Sequence, residues 1–475
     1  MDALERDTLE VLRLIQFAKN SFSPINRITP EILSCIPDYY GGDGQDDADK
    51  ALIALTHVCR GWRSMFISRS SLWVRLNFKN IDKIHTYIQR SRSSPLEIYL
   101  TWSKVTDAAF CLMIPHICRL KSLNIDTDAL PNILEHFRCP VPLLEKLDIT
   151  SHDVNQPVLD DALFNGDLSS LRELNLHRVI THFPWKNLAK LQVVNLKSCF
   201  SRNVVTRLLD FFKSAPLLHT IKLQGSIEGP LDTPPERIVS LHHLKVFTID
   251  AGPLHSILLR HLHIPIGASL VLELCPTGEE PPLPGHLPKL PLDFNNLSCI
   301  ATMNLLFDLS QTSVRLNGPS GSLRVLVCWQ DEGSSLSYTR DRQVLRSLDH
   351  PMLSGIQRLT ILEYEHPARP RVGECPVFQT LFSTNNLRTL ILIGCNNKLF
   401  ARALDPSQNP SGLILCSRME ELVLSVETLE RSHTKPITSM AMSRASRGCQ
   451  ATLPNGSQRT QGSYQMPSSP TRNFR

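Results

Sequence analysis

The chain has 475 residues, which is too long for one typical domain and suits two or three domains or one elongated array. Apolar residues make up 42% and charged residues 20%, which indicates a soluble folded protein, and no apolar stretch is long enough to span a membrane. The net charge of +5 arises at one end: residues 431–475 hold seven Lys or Arg and no acid, so residues 1–430 hold 43 bases and 45 acids. Neither a nucleic acid nor a membrane is therefore expected as a partner.

The first segment, residues 1–23, carries apolar residues among charges in a pattern that favours an N-terminal amphipathic helix. Acids occupy the positions where a secretory signal would carry bases, which argues against secretion. The thirteen cysteines form no C-x-x-C pair and are odd in number, as expected for free thiols in a reducing compartment. We therefore expect a cytoplasmic or nuclear protein.

Residues 24–80 form a compact apolar block that predicts three short helices. Thr29 caps the first helix, with Pro30 at its first position, and Pro37 ends it after Ile36. The second begins near Asp49, and the third carries Trp62 and Phe66. Three short helices bury little surface by themselves, so a partner or a neighbouring domain is expected to complete their core.

This block resembles the F-box, in which a Leu-Pro-x-Glu-Ile-Leu helix precedes a Val-Cys-x-x-Trp segment and a Leu-Trp pair. The positions that match the pattern are Pro30, Glu31, Ile32, Leu33, Val58, Cys59, Trp62, Leu72 and Trp73. Two features depart from it: Thr29 stands where leucine is usual, and about ten residues are inserted around Asp43. A loop tolerates such an insertion, so it affects the helix boundaries more than the resemblance.

The resemblance implies that the block binds the Skp adaptor and, through it, a cullin scaffold. The residues expected at this adaptor-binding surface are Pro30, Ile32, Leu33, Ile36, Leu52, Leu55, Val58 and Trp62.

A repeated unit, L-x-x-L-x-L, runs through residues 94–425. It begins at Leu120 and recurs at spacings of 20 to 27 residues as far as Leu244, becomes irregular over 266–305, and returns with longer spacings from Leu323. Such periods are typical of leucine-rich repeats, in which each unit contributes one strand and one helix. The predicted fold class is therefore α/β: a small all-helical F-box, a leucine-rich-repeat solenoid over 94–425, and a disordered basic tail over 431–475. The combination resembles the F-box-like proteins of fungi.

The fourth and sixth positions of each unit should face the core, and the third and fifth should face outwards. These outward positions are polar in the early units, as at Asn124 and Asp148. Four later ones are apolar and form the predicted target-binding patch: Val325, Val327, Ile391 and Val423. Two alternatives stay open: the tail or an insertion covers these residues, or the register is shifted by one residue and exchanges the two faces.

No phosphate-binding loop, nucleophile elbow or zinc-protease motif occurs, so we expect no enzymatic activity and no cofactor. His261 and His263, with His255 upstream, lack a further ligand at suitable spacing, so no metal site is predicted. The predicted function is the substrate-recognition subunit of a Skp–cullin–F-box ubiquitin ligase that holds an unknown protein target. The alternative is an interaction scaffold that does not direct degradation.

Overall fold

The computed structural model divides into two compact units, Met1–His243 and Leu244–Arg475, and each is described by itself. The residues that the structure describes are 3–29, 31–33, 35–36, 45–78, 80–101, 107–153, 156–159, 163–181, 188–200, 203–225, 237–250, 254–265, 267–274, 301–307, 311–318, 322–328, 355–363, 386–393, 401–402, 404–408, 416–424 and 431–447.

The α-helices of the first unit are short apart from the first, and local caps position two of them. Those whose bounds the structure describes are α1 (Ala3–Ser21), α2 (Gln45–Leu55), α3 (Arg60–Ser68), α4 (Ile81–Ser91), α5 (Asp107–Met113), α6 (Leu130–Leu134) and α7 (Val204–Ser214), and residues 31–33 and 35–36 are also helical. The Sγ atom of Cys59 accepts a hydrogen bond from the Trp62 amide at the start of α3. The Asn80 side chain accepts one from the Lys83 amide at the start of α4, at 3.1 Å, which satisfies an amide that the helix itself leaves unpaired.

A parallel sheet runs through the first unit, and its strands pair in chain order. Its described strands are β1 (Arg75–Asn77), β2 (Leu96–Thr101), β3 (Leu120–Thr127), β4 (Lys146–Ser151), β6 (Glu173–His177), β8 (Val193–Lys197) and β9 (Thr220–Gln224). Two short strands, β5 (Val158–Leu159) and β7 (Ile180–Thr181), form a separate parallel pair. The last short strand of this unit is β10 (Val239–Ser240).

The core of the first unit lies against one face of this sheet. Strand register places aliphatic side chains in two continuous rows across the sheet, and the residues of both rows are buried. The rows are Leu76, Ile98, Leu123, Leu147, Leu174, Val194 and Ile221, and then Leu100, Ile125, Ile149, Leu176, Leu196 and Leu223. Because side chains alternate along a strand, the residues between these rows form a second face, which is largely polar.

The second unit contains a mixed sheet. Its described strands, in spatial order, are β11 (Val246–Asp250), β13 (Ser269–Leu274), β16 (Ser322–Cys328), β15 (Gln311–Asn317), β14 (Thr302–Phe307), β17 (Arg358–Glu363), β18 (Thr389–Ile393) and β19 (Glu421–Leu424). Strand β15 runs antiparallel to both of its neighbours, and the other described pairs are parallel. Further described elements are the two-residue strand β12 (Leu262–His263), the α-helices α8 (Leu254–Arg260) and α9 (Arg431–Ser446), and a 3-10 helix at Pro406–Gln408.

The predicted fold, an all-helical F-box followed by a leucine-rich-repeat solenoid, is wrong. The structure has a mostly parallel α/β sheet in each unit, and in the second unit the order of strands departs from the order of the chain. Strands do follow the repeated units, as β3 follows from Leu120 and β18 follows Leu387. However, β13, β14 and β15 arise where the repeat is irregular, and the described residues between β4 and β8 contain no α-helix. The L-x-x-L-x-L motif predicts that a strand forms locally, but it does not predict which other strand pairs with that strand.

The boundary predicted at residue 80 is also not a structural boundary. Arg75–Asn77, inside the predicted F-box, form β1, which pairs in parallel with Glu97–Tyr99 of β2. The buried core of the helical block continues into the sheet, since Leu76 of β1 is as buried as Ile98 beside it. A block of short helices therefore obtains its missing core from the adjoining sheet.

The prediction of a disordered tail from residue 431 is wrong for residues 431–446, which form α9. Ile437 and Met440 are buried on this helix, and Arg444 is fully buried. The Arg444 guanidinium donates hydrogen bonds to the carbonyl oxygens of Cys416, at 2.7 Å, and Leu404, at 3.5 Å. The composition contains too few large apolar residues to reveal this helix, because a buried arginine supplies part of its packing. Residues 448–475 lie outside the described residues.

Candidate functional site: protein-interaction surfaces

The N-terminal block, defined here as residues 24–78, has a core built on its tryptophans. Trp62 packs edge-on against Phe66 with ring centroids 6.0 Å apart, and both are buried. Trp73 is fully buried, and its indole Nε1 donates to the carbonyl oxygen of Phe66 at 2.9 Å. The Arg90 guanidinium lies 4.3 Å from the centre of the Trp73 ring, in cation–π geometry. These contacts fix α3 and the turn that follows it.

A buried polar cluster attaches α2 to α4. The Asp49 carboxylate is buried and accepts hydrogen bonds from the Lys83 ammonium and, at 3.2 Å, from the Tyr87 hydroxyl. Burial, followed by the nearby Asp49 charge, raises the pKa of Tyr87. Tyr87 also packs edge-on against Trp73 with centroids 4.9 Å apart. The outer surface of α2 is therefore presented on a rigid support.

The structure divides the predicted adaptor-binding residues into two groups. Leu33, Leu52 and Trp62 are buried and belong to the core, which leaves them unable to contact a partner directly. Ile36 and Leu55 are half-buried.

The second group consists of exposed aliphatic side chains. Ile32 is 61% exposed and Val58 is 57% exposed. Ile53 on α2, 41% exposed, belongs with them, although the F-box pattern does not single it out. Pro30 lies outside the described residues.

An ion pair ties the segment that carries Ile32 to the rest of the block. The Glu31 carboxylate lies 3.2 Å from the Arg69 guanidinium, which follows α3 directly, and both partners are at the surface. Hydrogen bonds from its own backbone amide and from the Thr29 side chain hold the pKa of Glu31 below its ordinary value, with a smaller contribution from Arg69. A surface pair of this kind contributes little stability, but it orients the segment.

The second candidate surface is the polar face of the sheet in the first unit. One row across the strands reads Tyr99, Asn124, Asp148, Asn175, Asn195 and Lys222, and the next reads Glu97, Ser122, Lys146, Glu173, Val193 and Thr220. These side chains are half-buried. Two rows of hydrogen-bonding groups on a rigid sheet can recognise the polar surface of another protein.

Hydrogen bonds and charge link the centre of the polar face. Lys146 Nζ lies 2.9 Å from Glu173 Oε1, and Asn175 Nδ2 donates to the same oxygen at 2.9 Å and to Asp148 at 3.3 Å. Asn195 in turn donates to Asn175 at 2.5 Å. The hydrogen bond from Lys146 to Glu173 raises the pKa of Lys146.

The two carboxylates at the centre of the polar face respond differently to their surroundings. Burial tends to raise the pKa of Glu173, but the hydrogen bonds from Lys146 and Asn175 lower it below its ordinary value. Burial raises the pKa of Asp148, and there the Asn175 hydrogen bond offsets only part of the effect. Asp148 is therefore the less well-compensated charge of the network.

The predicted target-binding patch in the second unit is only partly supported by the register. Ile391 and Val423 pair in the ladder between β18 and β19, are half-buried, and lie in one row with Thr360. Val325, however, pairs with Leu272 of β13 and Val314 of β15, both of which are buried. Val325, and Val327 two residues on, therefore occupy the register of core positions. The backbone register of β16 therefore differs by one residue from the predicted register.

Two further kinds of feature, a metal centre and a membrane-spanning helix, were sought among the described residues. Among them, no group of three or more His, Cys, Asp or Glu side chains is arranged to hold a metal ion. None of the helices in the described part of the chain has the length and apolar character needed to cross a membrane.

Comparison of the chain with protein-family models and with curated proteins finds no match.

Proposed function

We propose that this protein is the substrate-recognition subunit of a Skp–cullin–F-box ubiquitin ligase. In this proposal the N-terminal block binds the Skp adaptor, and a sheet face farther along the chain binds the protein that is to be ubiquitinated. The chain itself carries out no chemistry. It contributes by holding a target lysine near the charged conjugating enzyme, which raises the effective concentration of the reacting groups.

One observation supports the proposal most directly: some residues that match the F-box pattern are buried in the core, and others are aliphatic and exposed. Trp62 and Trp73 are buried within the block, so the pattern's aromatic positions have a folding role. Ile32 and Val58 are exposed, although water-exposed isoleucine and valine do nothing for folding. Exposed aliphatic residues on a rigid support are what an apolar protein interface requires.

The second face of the sheet in the first unit supports the target-binding half of the proposal. Its hydrogen-bonding groups are half-buried and held by cross-strand contacts, so a partner meets an ordered polar surface. The row of Thr360, Ile391 and Val423 in the second unit offers a more apolar surface of the same kind. Each unit thus has its own candidate surface for a target.

The adaptor half is tested by co-purification from cells with three single variants of the full chain. Ile32→Asp and Val58→Asp place a charge in the proposed interface, and we expect each to lose most of the bound adaptor. Ile238→Asp is the matched control, because Ile238 is also exposed but lies outside the N-terminal block. If all three variants retain the adaptor equally, the proposal fails for this surface.

Deletion of the gene separates a ligase from a scaffold that does not direct degradation. We expect proteins captured by the chain under proteasome inhibition to accumulate when the chain is absent, and Ile32→Asp to reproduce that accumulation. If the levels of the captured proteins stay constant in the deletion and in the Ile32→Asp variant, the protein is instead a scaffold that does not direct degradation.

A further inference from the structure

Helix α1 carries an apolar stripe that the first unit leaves exposed. Every residue of this 19-residue helix whose side chain is described is exposed to solvent. Leu4, Val11 and Ile15 lie along one side of the helix at intervals of seven and four residues, and Phe22 follows directly after the helix end. An apolar stripe of this length is costly to leave in water, and a helix of this length is only marginally stable alone, so a covering partner is indicated.

The spacing is that of a coiled-coil seam. Leu4, Thr8, Val11, Ile15 and Ala18 succeed one another at alternating steps of four and three residues, the pattern of positions a and d in a heptad repeat. The stripe is five positions long, which suits a short two-helix contact of about 28 Å.

The charges along α1 specify the direction of that contact. Its first half carries Glu5, Asp7 and Glu10 against a single base, Arg6, and its second half carries bases and no acid. Two copies side by side in the same direction would align acidic half with acidic half. Two copies in opposite directions align the acidic half of each with the basic half of the other.

We propose that α1 pairs with α1 of a second copy of this chain as an antiparallel two-helix coiled coil. In that register Val11 packs against Ile15 of the second copy, Thr8 against its Ala18, and Leu4 against its Phe22. The arrangement is symmetric, so every contact occurs twice, as in any two-fold interface. Glu5 and Lys19 flank the seam, and Glu5 of each copy faces Lys19 of the other. The pairing is independent of adaptor binding by the N-terminal block.

Sedimentation equilibrium of the full chain over a range of concentrations tests this pairing. The expected result is a reversible rise from the monomer mass of 53.5 kDa towards twice that value. Val11→Asp combined with Ile15→Asp should weaken association at least about tenfold, because both central layers then contain buried charge. Leu9→Asp is the matched control on the far side of the helix, where Leu9 is 43% exposed, and it should leave the association unchanged.

Charge exchange tests the antiparallel direction without altering the apolar seam. Glu5→Lys alone places lysine against Lys19, and Lys19→Glu alone places glutamate against Glu5, so each single variant should associate more weakly than wild type. A mixture of the two variants should recover association, because both ion pairs re-form in the mixed dimer. A monomeric wild-type chain at every concentration overturns the proposal. So does a mixture that associates no better than its two components, and so does equal weakening by Leu9→Asp.

Discussion

At the scale of single residues, two neighbours in the N-terminal block have different roles: one contributes to folding, and the other is available for recognition. Leu33 is 5% exposed and lies in the core, whereas Ile32 beside it is 61% exposed. A helical segment produces this division because adjacent residues are turned by about 100° from one another. The F-box pattern contains both residues and does not distinguish their roles.

Truncation of these two neighbours to alanine should therefore give opposite results. Leu33→Ala leaves a cavity in the core, and we expect it to lower the free energy of unfolding by about 2–5 kcal/mol. Ile32→Ala removes little buried surface, and its effect on unfolding should stay within about 0.5 kcal/mol. Urea denaturation followed by tryptophan fluorescence measures both, since Trp62 and Trp73 lie in the same core. Equal destabilisation by the two substitutions contradicts this assignment of roles.

At the scale of structural elements, the ordered polar face of the first unit costs free energy of folding. The network around Asn175 uses carboxylates that are partly removed from water. Burying a charge without full compensation opposes folding, so such a surface is retained for recognition more readily than for stability.

Asp148 permits a test of that cost through pH. Burial places the folded pKa of Asp148 above its unfolded value, so the protonated carboxyl favours folding, and this contribution is lost as the pH rises through the folded pKa. At neutral pH the charged carboxylate therefore opposes folding. Asp148→Asn should raise the melting temperature at neutral pH, and the gain should shrink as the pH falls to about 4.

The matched control for this experiment is Asp128→Asn, which makes the same change in net charge at an exposed position. It should change the melting temperature little at either pH. A destabilising Asp148→Asn at neutral pH would show that the Asn175 hydrogen bond outweighs the cost of burial.

Helix α9 turns a segment that composition describes as a tail into part of the second unit. A chain that ends at residue 447 keeps the buried Ile437, Met440 and Arg444, and it should melt like the full chain. A chain that ends at residue 430 loses about 1.5–3 kcal/mol for each of the two apolar side chains, and its melting temperature should fall. Differential scanning calorimetry of the two truncations measures the difference. Equal melting of both would mean that α9 contributes nothing to the unit.

The elements also show how far the sequence could predict this structure. Strands β3, β4, β6 and β8 follow their L-x-x-L-x-L units, because alternation along a strand is a local property. The antiparallel β15 and the register of β16 depend on pairing between distant segments, which no local pattern contains. The strands of Ile391 and Val325 are both paired on two sides, so the difference between these residues follows from the register of β16 against β13 and β15.

At the scale of the whole molecule, the proposed function gives each part of the chain one role. The N-terminal block offers exposed aliphatic residues on a support that the sheet completes, the sheets offer faces for a target, and α1 offers a seam for a second copy. Target recognition depends on the first of these roles, because a target bound to the sheet is ubiquitinated only if the adaptor is bound as well.

The most direct test is isothermal titration of the full chain with purified Skp adaptor, without other components. We expect one adaptor to bind per chain, with a negative heat-capacity change because apolar surface is buried. We also expect binding at least about tenfold weaker for Val58→Asp and unchanged binding for Ile238→Asp. Absence of binding by a chain whose cooperative unfolding shows that it is folded would contradict the central claim.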